Sequence, residues 1–269
     1  MQLLISVAGP AEARAALSGG ADVIDAKDPR RGALGPVPLH RLAGIRAAVA
    51  GARPLSAALG DATSEEALAG AVGAAVSVGV AFVKVGFAGV TSETRARRLA
   101  VAAQRRVPPD EGTRVVLVAY ADWRPAESLA PARIVAVAAA AGAAGVLLDT
   151  ASKGAPLFTI ATVASVAAWV AAAHAAGLFA ALAGGLSGPE FALARALGAD
   201  VVGVRGAACV GGRLGRVSRT RVALLRASAD AAPTPRVPVG RDVLPERDVE
   251  LPEIVHCDDE MLHAVRERA

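Results

Sequence analysis

The stretch LFAALAGG (178–185), GPEFALARALGAD (188–200) and VVGVRGA (201–207) reads as one complete strand–helix–strand unit. Its two ends are apolar runs of strand length. The middle is a helix-length segment that stops at Gly198, where a left-handed cap residue is expected. The same alternation runs back through the chain. Further candidate strands are LLISVA (3–8), DVIDAKD (22–28), LSAALGD (55–61), FVKVGF (82–87), RVVLVAYAD (114–122) and GVLLDTA (145–151). Gly79, Gly142 and Gly177 also stand where helices should end. Thr63 or Ser64, and Thr91 or Ser92, are candidate N-caps with acids in the following turn. Apolar strands alternating with helices make a parallel sheet covered on its faces. Eight such units in about 225 residues predict an α/β fold closed into a (βα)₈ TIM barrel rather than an open sheet.

The barrel is expected over residues 1–227. From about Ser228 the chain turns rich in Pro and charge, with Pro233, Pro235, Pro238, Pro245 and Pro252 working against regular structure. A C-terminal arm over 228–269 is expected, either packed on the barrel or a neighbouring subunit, or disordered.

Composition narrows the function classes. The 269 residues are 54% hydrophobic but only 3% aromatic, so Ala, Val and Leu must build the core. A net charge of +4 and a pI near 9.7 raise nucleic acid as a partner, but the charge is scattered and stacking aromatics are scarce. An arginine-rich surface and a site for phosphorylated metabolites fit better. Residues 161–185 lack any Asp, Glu, Lys or Arg, yet they are mostly Ala, include His174 and break at Gly177, so a helix followed by a buried strand is expected rather than a membrane span. Two cysteines, Cys209 and Cys257, cannot make a disulfide framework, and MQLLISVAGP has no signal-peptide pattern. A cytoplasmic protein is expected, and a homo-oligomer is the common arrangement for such barrels.

The cations are unevenly used. Of 29 Lys and Arg residues only Lys27, Lys84 and Lys153 are Lys. Where a surface cation serves, either residue will do, so positions that keep Lys in an Arg-biased chain are candidates for chemistry Arg cannot perform. Lys can lose its proton when buried or set near other cations and then attack a carbonyl; Arg cannot. All three fall at the C-terminal ends of predicted strands 2, 4 and 6, the rim where barrel active sites are built. Carboxylates accompany them. Asp25 and Lys27 are two apart on one strand face, Asp149 precedes Lys153, and Tyr120 and Asp122 share a face at the end of strand 5. An amine among ammonium groups and carboxylates is what an imine-forming enzyme needs, the cations lowering its pKa and the acids moving protons. Asp25 and Asp149 could equally serve only to hold the lysines as ion pairs.

Two glycine-rich turns point to phosphate. Gly184, Gly185 and Ser187 close strand 7 ahead of a helix at Pro189, and Arg205, Gly206 and Ala207 close strand 8. Loops after these two strands recur as phosphate sites in barrel enzymes, because backbone N–H groups and a helix N-terminus stabilise the anion. Arg205 could pair with a phosphate or with a neighbouring acid. His174 reads as a packing or capping residue and Cys209 as a small buried one. With no HExxH, CxxC or GxxxxGK[ST] pattern and scattered histidines, no metal or organic cofactor is expected.

Six segments carry a family resemblance: DVIDAKDPRRGALG, FVKVGF, VVLVAYAD, VLLDTASKGAPLF, ALAGGLS and DVVGVRGAAC. In this order they resemble the (5-formylfuran-3-yl)methyl phosphate synthases of methanofuran and methylofuran biosynthesis, over about residues 1–227. The resemblance implies a (βα)₈ lyase that joins two glyceraldehyde 3-phosphates into a furan-aldehyde phosphate, releasing one phosphate and two waters. It implies Lys27 as the Schiff-base lysine, with Asp25, Lys84, Asp149 and Lys153 completing the site. The bound carbon nucleophile would then add to the aldehyde of the second triose phosphate. Another class I aldolase acting on sugar phosphates, an isomerase with an electrostatic Lys27, and a non-catalytic sugar-phosphate-binding regulator are the rival readings.

Overall fold

The computed structural model describes residues 1–108 and 112–231. Eight strands close into a parallel barrel in chain order: β1 (Gln2–Val7), β2 (Val23–Ala26), β3 (Leu55–Asp61), β4 (Phe82–Gly86), β5 (Arg114–Tyr120), β6 (Gly145–Asp149), β7 (Phe179–Leu182) and β8 (Val201–Val204). Pairing of β1 with β8, Leu3 opposite Val202, completes the ring and leaves it without an edge. The (βα)₈ expectation holds.

Helices surround the strands: α1 (Pro10–Ser18), α2 (Leu39–Val49), α3 (Glu65–Ser77), α4 (Glu93–Arg105), α5 (Pro131–Ala141), α6 (Leu157–Ile160), α7 (Val163–Ala175), α8 (Phe191–Ala196) and α9 (Arg219–Asp230). Of the candidate caps, Ser64 Oγ accepts from Ala67 N at 3.1 Å and Ser92 Oγ from Arg95 N at 3.3 Å. Gly79, Gly142, Gly177 and Gly198 all adopt the left-handed conformation that ends a helix without a Cβ clash. A short hairpin, β9 (Cys209–Val210) with β10 (Arg216–Val217), follows β8.

Period-two alternation splits the strand residues into two apolar groups. Ile5, Ile24, Val83, Val85, Leu117, Leu148 and Val202 point outward into one large core with the helices. Ala58, Val116, Val118, Leu147, Ala181 and Ala183 face the barrel interior. The inward set is small, so the axis stays open. The chain reaches this packing with few aromatics because Ala on both helices and strands lets the layers approach closely.

Residues 161–185 resolve into α7 and β7, and among the described residues no helix is long and apolar enough to cross a membrane. His174 Nε2 lies 2.9 Å from Asp200 Oδ2, which also accepts from Ala180 N, so it ties a helix end to the sheet. Cys209 is buried. The strands are shorter than expected at the rim, where the chain splays into loops: β2 stops before Lys27, β7 before Ala183 and β8 before Arg205. Apart from its first few residues, the expected C-terminal arm lies outside the described residues.

Candidate active site

The barrel interior at and just below the C-terminal rim gathers all three lysines and two of the acids. Lys84 lies deeper than the strand-end position expected for it, because β4 runs on to Gly86. Asp25 lies within β2, and Lys27 follows the strand's last residue while its N–H still donates to Val7 O at 2.9 Å. Lys84 sits in the middle of β4, Asp149 ends β6, and Lys153 comes from the loop that follows. Lys84 Nζ lies 2.7 Å from Asp25 Oδ2, and Lys153 Nζ lies 2.8 Å from Asp149 Oδ1. Each carboxylate is thus taken by one lysine. Lys27 is the third: it is 7% exposed and has neither a hydrogen bond nor an ion pair to its side chain among the described residues.

Burying an ion costs several kcal/mol unless a partner compensates it. Lys27 has none in contact among the described residues, so burial shifts its equilibrium toward the neutral amine. Its pKa falls from 10.5 to about 8, first through burial, with Asp149 and Asp25 opposing and Lys84 and Lys153 assisting. Sequence reasoning credited the neighbouring cations; burial is the larger cause. The pKa of Asp149 is lowered as well, but by its partners and against burial. Burial would raise its pKa, but Lys153, Lys27 and the Thr150 N–H, donating at 2.7 Å, hold it below the usual carboxylate range. The site therefore presents an amine whose neutral form is far more accessible near neutral pH than that of a solvated lysine, beside an ionised carboxylate.

These groups face a cavity of about 610 Å³. Its mouth is bounded by Lys27, Asp149, Lys153, Gly184 and Arg213, and it continues down the axis past Ser6, Ser56, Ala181 and Gly203. The rest of the barrel top is filled. Leu34, from the loop after β2, joins the inner apolar cluster with Ala58, Val116, Val118 and Tyr120.

Not every expected ligand faces the cavity. Tyr120, expected at the substrate, is fully buried, and its hydroxyl donates to Asp61 Oδ1 at 2.7 Å. Gly86 makes that contact possible, since a Cβ there would fall 2.2 Å from Asp61 Oδ1 and 2.5 Å from the Tyr120 hydroxyl. Asp122 instead accepts the N–H groups of Ala151 and Ser152 at 2.7 and 2.8 Å, shaping the loop that delivers Lys153. Arg205 borders the cavity but is fully engaged. It forks onto Glu12 and donates to Ser6 O, Arg213 O and Gly215 O, so the acid it pairs with comes from the first turn of α1. A guanidinium with all its N–H groups spent has none for phosphate.

The glycine turns do face the cavity. Gly184, with φ +95°, brings the backbone against Thr150, where a Cβ would sit 2.9 Å from Thr150 Cγ2. Gly206 and Ala207 open a 3₁₀ turn whose first N–H groups have no partner within it. Ser187 lines the cavity, but its N–H and hydroxyl both donate to the Glu190 carboxylate, at 3.0 and 3.2 Å. The helix expected from Pro189 starts only at Phe191 and is six residues long, with Glu190 at its N-terminus, so it offers no anion site. Sequence reasoning missed Arg213. It lies between the glycines of GGRLG, donates to Pro29 O and to Gly32 O, and borders the cavity; burial lowers its pKa. It latches the loop after β2 to the loop after β8.

Comparison with known proteins places the chain in a family. The sequence model of the 4-HFC-P synthase family matches residues 3–226. A (5-formylfuran-3-yl)methyl phosphate synthase from Methanopyrus kandleri is 39% identical over 233 residues, covering 86% of this chain and 98% of that one. Its counterpart from Methanosarcina barkeri is 34% identical over 235 residues, covering 86% and 100%. Among solved structures, orotidine 5′-phosphate decarboxylase from Pyrococcus horikoshii superposes with a TM-score of 0.58 at 13% identity, covering 86% of this chain and all of the other, a likeness of fold alone. With a family model matching most of its length and relatives more than 30% identical over nearly their whole length, the chain is an enzyme that belongs to the 4-HFC-P synthase family.

Proposed function

We propose that this enzyme condenses two molecules of glyceraldehyde 3-phosphate into (5-formylfuran-3-yl)methyl phosphate, through a Schiff base on Lys27. The observation that carries the reading is the unpaired, buried Lys27 between two lysine–carboxylate pairs. The family match and the names of its relatives supply the product.

Lys27 adds to the carbonyl of one triose phosphate and loses water to give the imine. Removal of the proton next to the imine carbon expels the phosphate from the following carbon, leaving an enamine-type nucleophile. Asp149, held ionised, is the base suited to that step. The substitution pattern of the product then fixes the next bond. Addition to the aldehyde of the second triose, as the resemblance first implies, would place both ring substituents beside the ring oxygen. The 3,5 pattern requires bonding to the central carbon of the triose that keeps its phosphate. That molecule must react as its ketone tautomer, which calls for a second proton transfer between its central and first carbons. Closure of a hydroxyl on the carbonyl and loss of two waters complete the furan. One water hydrolyses the imine to give the formyl group and free Lys27, returning the water lost when the imine formed, so that atoms balance with one phosphate and two waters released.

The retained phosphate fits the N–H groups of the Gly184–Gly185 and Gly206–Ala207 turns, while Lys153, Lys84 and Arg213 offset the charge of the leaving phosphate and of the developing oxyanions. The test is incubation with glyceraldehyde 3-phosphate, following near-ultraviolet absorbance and free phosphate together. One phosphate per furan supports the reading. Consumption without phosphate release would favour an ordinary aldolase, and binding without consumption a regulator.

A further inference from the structure

Below the Lys27 layer, β1, β2 and β3 place Ser6, Asp25 and Ser56 side by side, since Ser6 is opposite Asp25 and Asp25 opposite Ser56 in the sheet register. They are 2%, 0% and 1% exposed. Asp25 uses its oxygens unequally. Oδ2 accepts from Ser6 Oγ at 2.8 Å and from Lys84 Nζ at 2.7 Å, whereas Oδ1 has no partner among the described residues. Ser56 Oγ has none either. Ser56, Ser6 and Lys84 line the cavity, and Ala181 and Gly203 line it as well, leaving room beside them. Two orphaned buried polar atoms on adjacent strands are costly unless something small and polar bridges them. A water needs two to four polar partners, and this pair, with Ser56 lining the cavity and Asp25 behind it, supplies the minimum.

We propose that Ser56 is a positioning residue: with Asp25 Oδ1 it holds a water through which Asp25 exchanges protons with the reacting molecules. This rests on the proposed condensation, which demands two carbon deprotonations and repeated dehydration. Asp149 serves one face of the site. Asp25, with one oxygen anchored by Ser6 and Lys84 and the other left for the water, serves the other. In each transfer only O–H and C–H bonds change: the water gives a proton to Asp25 Oδ1 as it accepts one from substrate carbon, and the reverse path delivers a proton to a departing hydroxyl. Ser56 itself keeps its proton count.

The test compares wild type, Ser56→Ala and Ser56→Thr, which retains a hydroxyl. Turnover to furan, the yield of borohydride-trapped adduct on Lys27, and the solvent deuterium isotope effect on kcat are measured on each. Ser56→Ala is expected to lose on the order of ten- to a hundredfold in kcat, at the low end of acid–base contributions, with KM and trapping yield little changed and a larger isotope effect. Ser56→Thr should recover most of the loss. Should Ser56→Ala fail to fold, Ser56→Cys, near in size but a weak hydrogen-bonder, is read the same way. Wild-type kcat in the variant, or kcat and trapping falling together with an unchanged isotope effect, would overturn the relay. No furan and no adduct from the wild type would instead overturn the condensation itself.

Discussion

Adduct formation at Lys27 should follow a pH profile that breaks near 8, well below an ordinary lysine. Only the neutral amine attacks, so raising pH through the folded-state pKa speeds the step until it levels off about a unit above. With a pKa of about 8 instead of 10.5, roughly a tenth of Lys27 is neutral at pH 7 against about 0.03% for a solvated lysine, an advantage of about three hundredfold. Lys84→Gln perturbs this in a known direction. It removes a cation that lowers the pKa and frees Asp25, which raises it, so the break should move up by about one unit and cost about tenfold at pH 7. The assay is the single-turnover rate of cyanoborohydride-trapped adduct, read by intact mass between pH 6 and 10.5. A wild-type break above about 10, or a Lys84→Gln profile unmoved or shifted down, would refute the reasoning that an uncompensated buried amine is the nucleophile.

Stability should echo the same protonation. The folded pKa of Lys27 lies below its unfolded 10.5, so the unfolded chain binds more protons between about 8 and 10.5 and this group adds stability as pH rises through that window. The advantage of Lys27→Met over wild type in chemical denaturation should therefore shrink by about 3 kcal/mol from pH 8 to 10.5, and a constant difference would count against the buried neutral amine. Gly86→Ala should destabilise by about 1–3 kcal/mol, seen as a lower Tm, because its Cβ would collide with Asp61, Tyr120 and Leu34. Arg205→Met should cost about 3–5 kcal/mol by stranding Glu12 and three carbonyls, yet leave KM for triose phosphate nearly unchanged in the folded fraction; a selective KM rise would make Arg205 a phosphate ligand after all. Arg213→Gln should do the opposite, raising KM with little loss of Tm.

Much of the fold was legible because the alternation of apolar strands and Ala-rich helices is regular, and because glycine ends helices for a steric reason the sequence displays. The lysines were legible because so few exist: Lys27, Lys84 and Lys153 stand out in a chain that otherwise uses Arg. What the sequence hid lies in distances between strands far apart in the chain. β5 ends at Tyr120, two residues short of Asp122, and Asp61 on β3 captures the Tyr120 hydroxyl while the loop after β6 captures Asp122. Whether Arg205 would meet a phosphate or an acid stayed open because Glu12, 193 residues away, closes on it only when β1 and β8 meet. Ser56 looked like an ordinary strand serine. Its meaning appears only when register places it beside an Asp25 oxygen that nothing else satisfies.

The central claim is the imine on Lys27, and peptide mass spectrometry after borohydride reduction in the presence of glyceraldehyde 3-phosphate tests it most directly. The account predicts a triose-derived adduct on the peptide carrying Lys27, lost in Lys27→Ala together with furan formation. Furan production with no adduct, or an adduct on Lys84 or Lys153 with Lys27 unmodified, would contradict it.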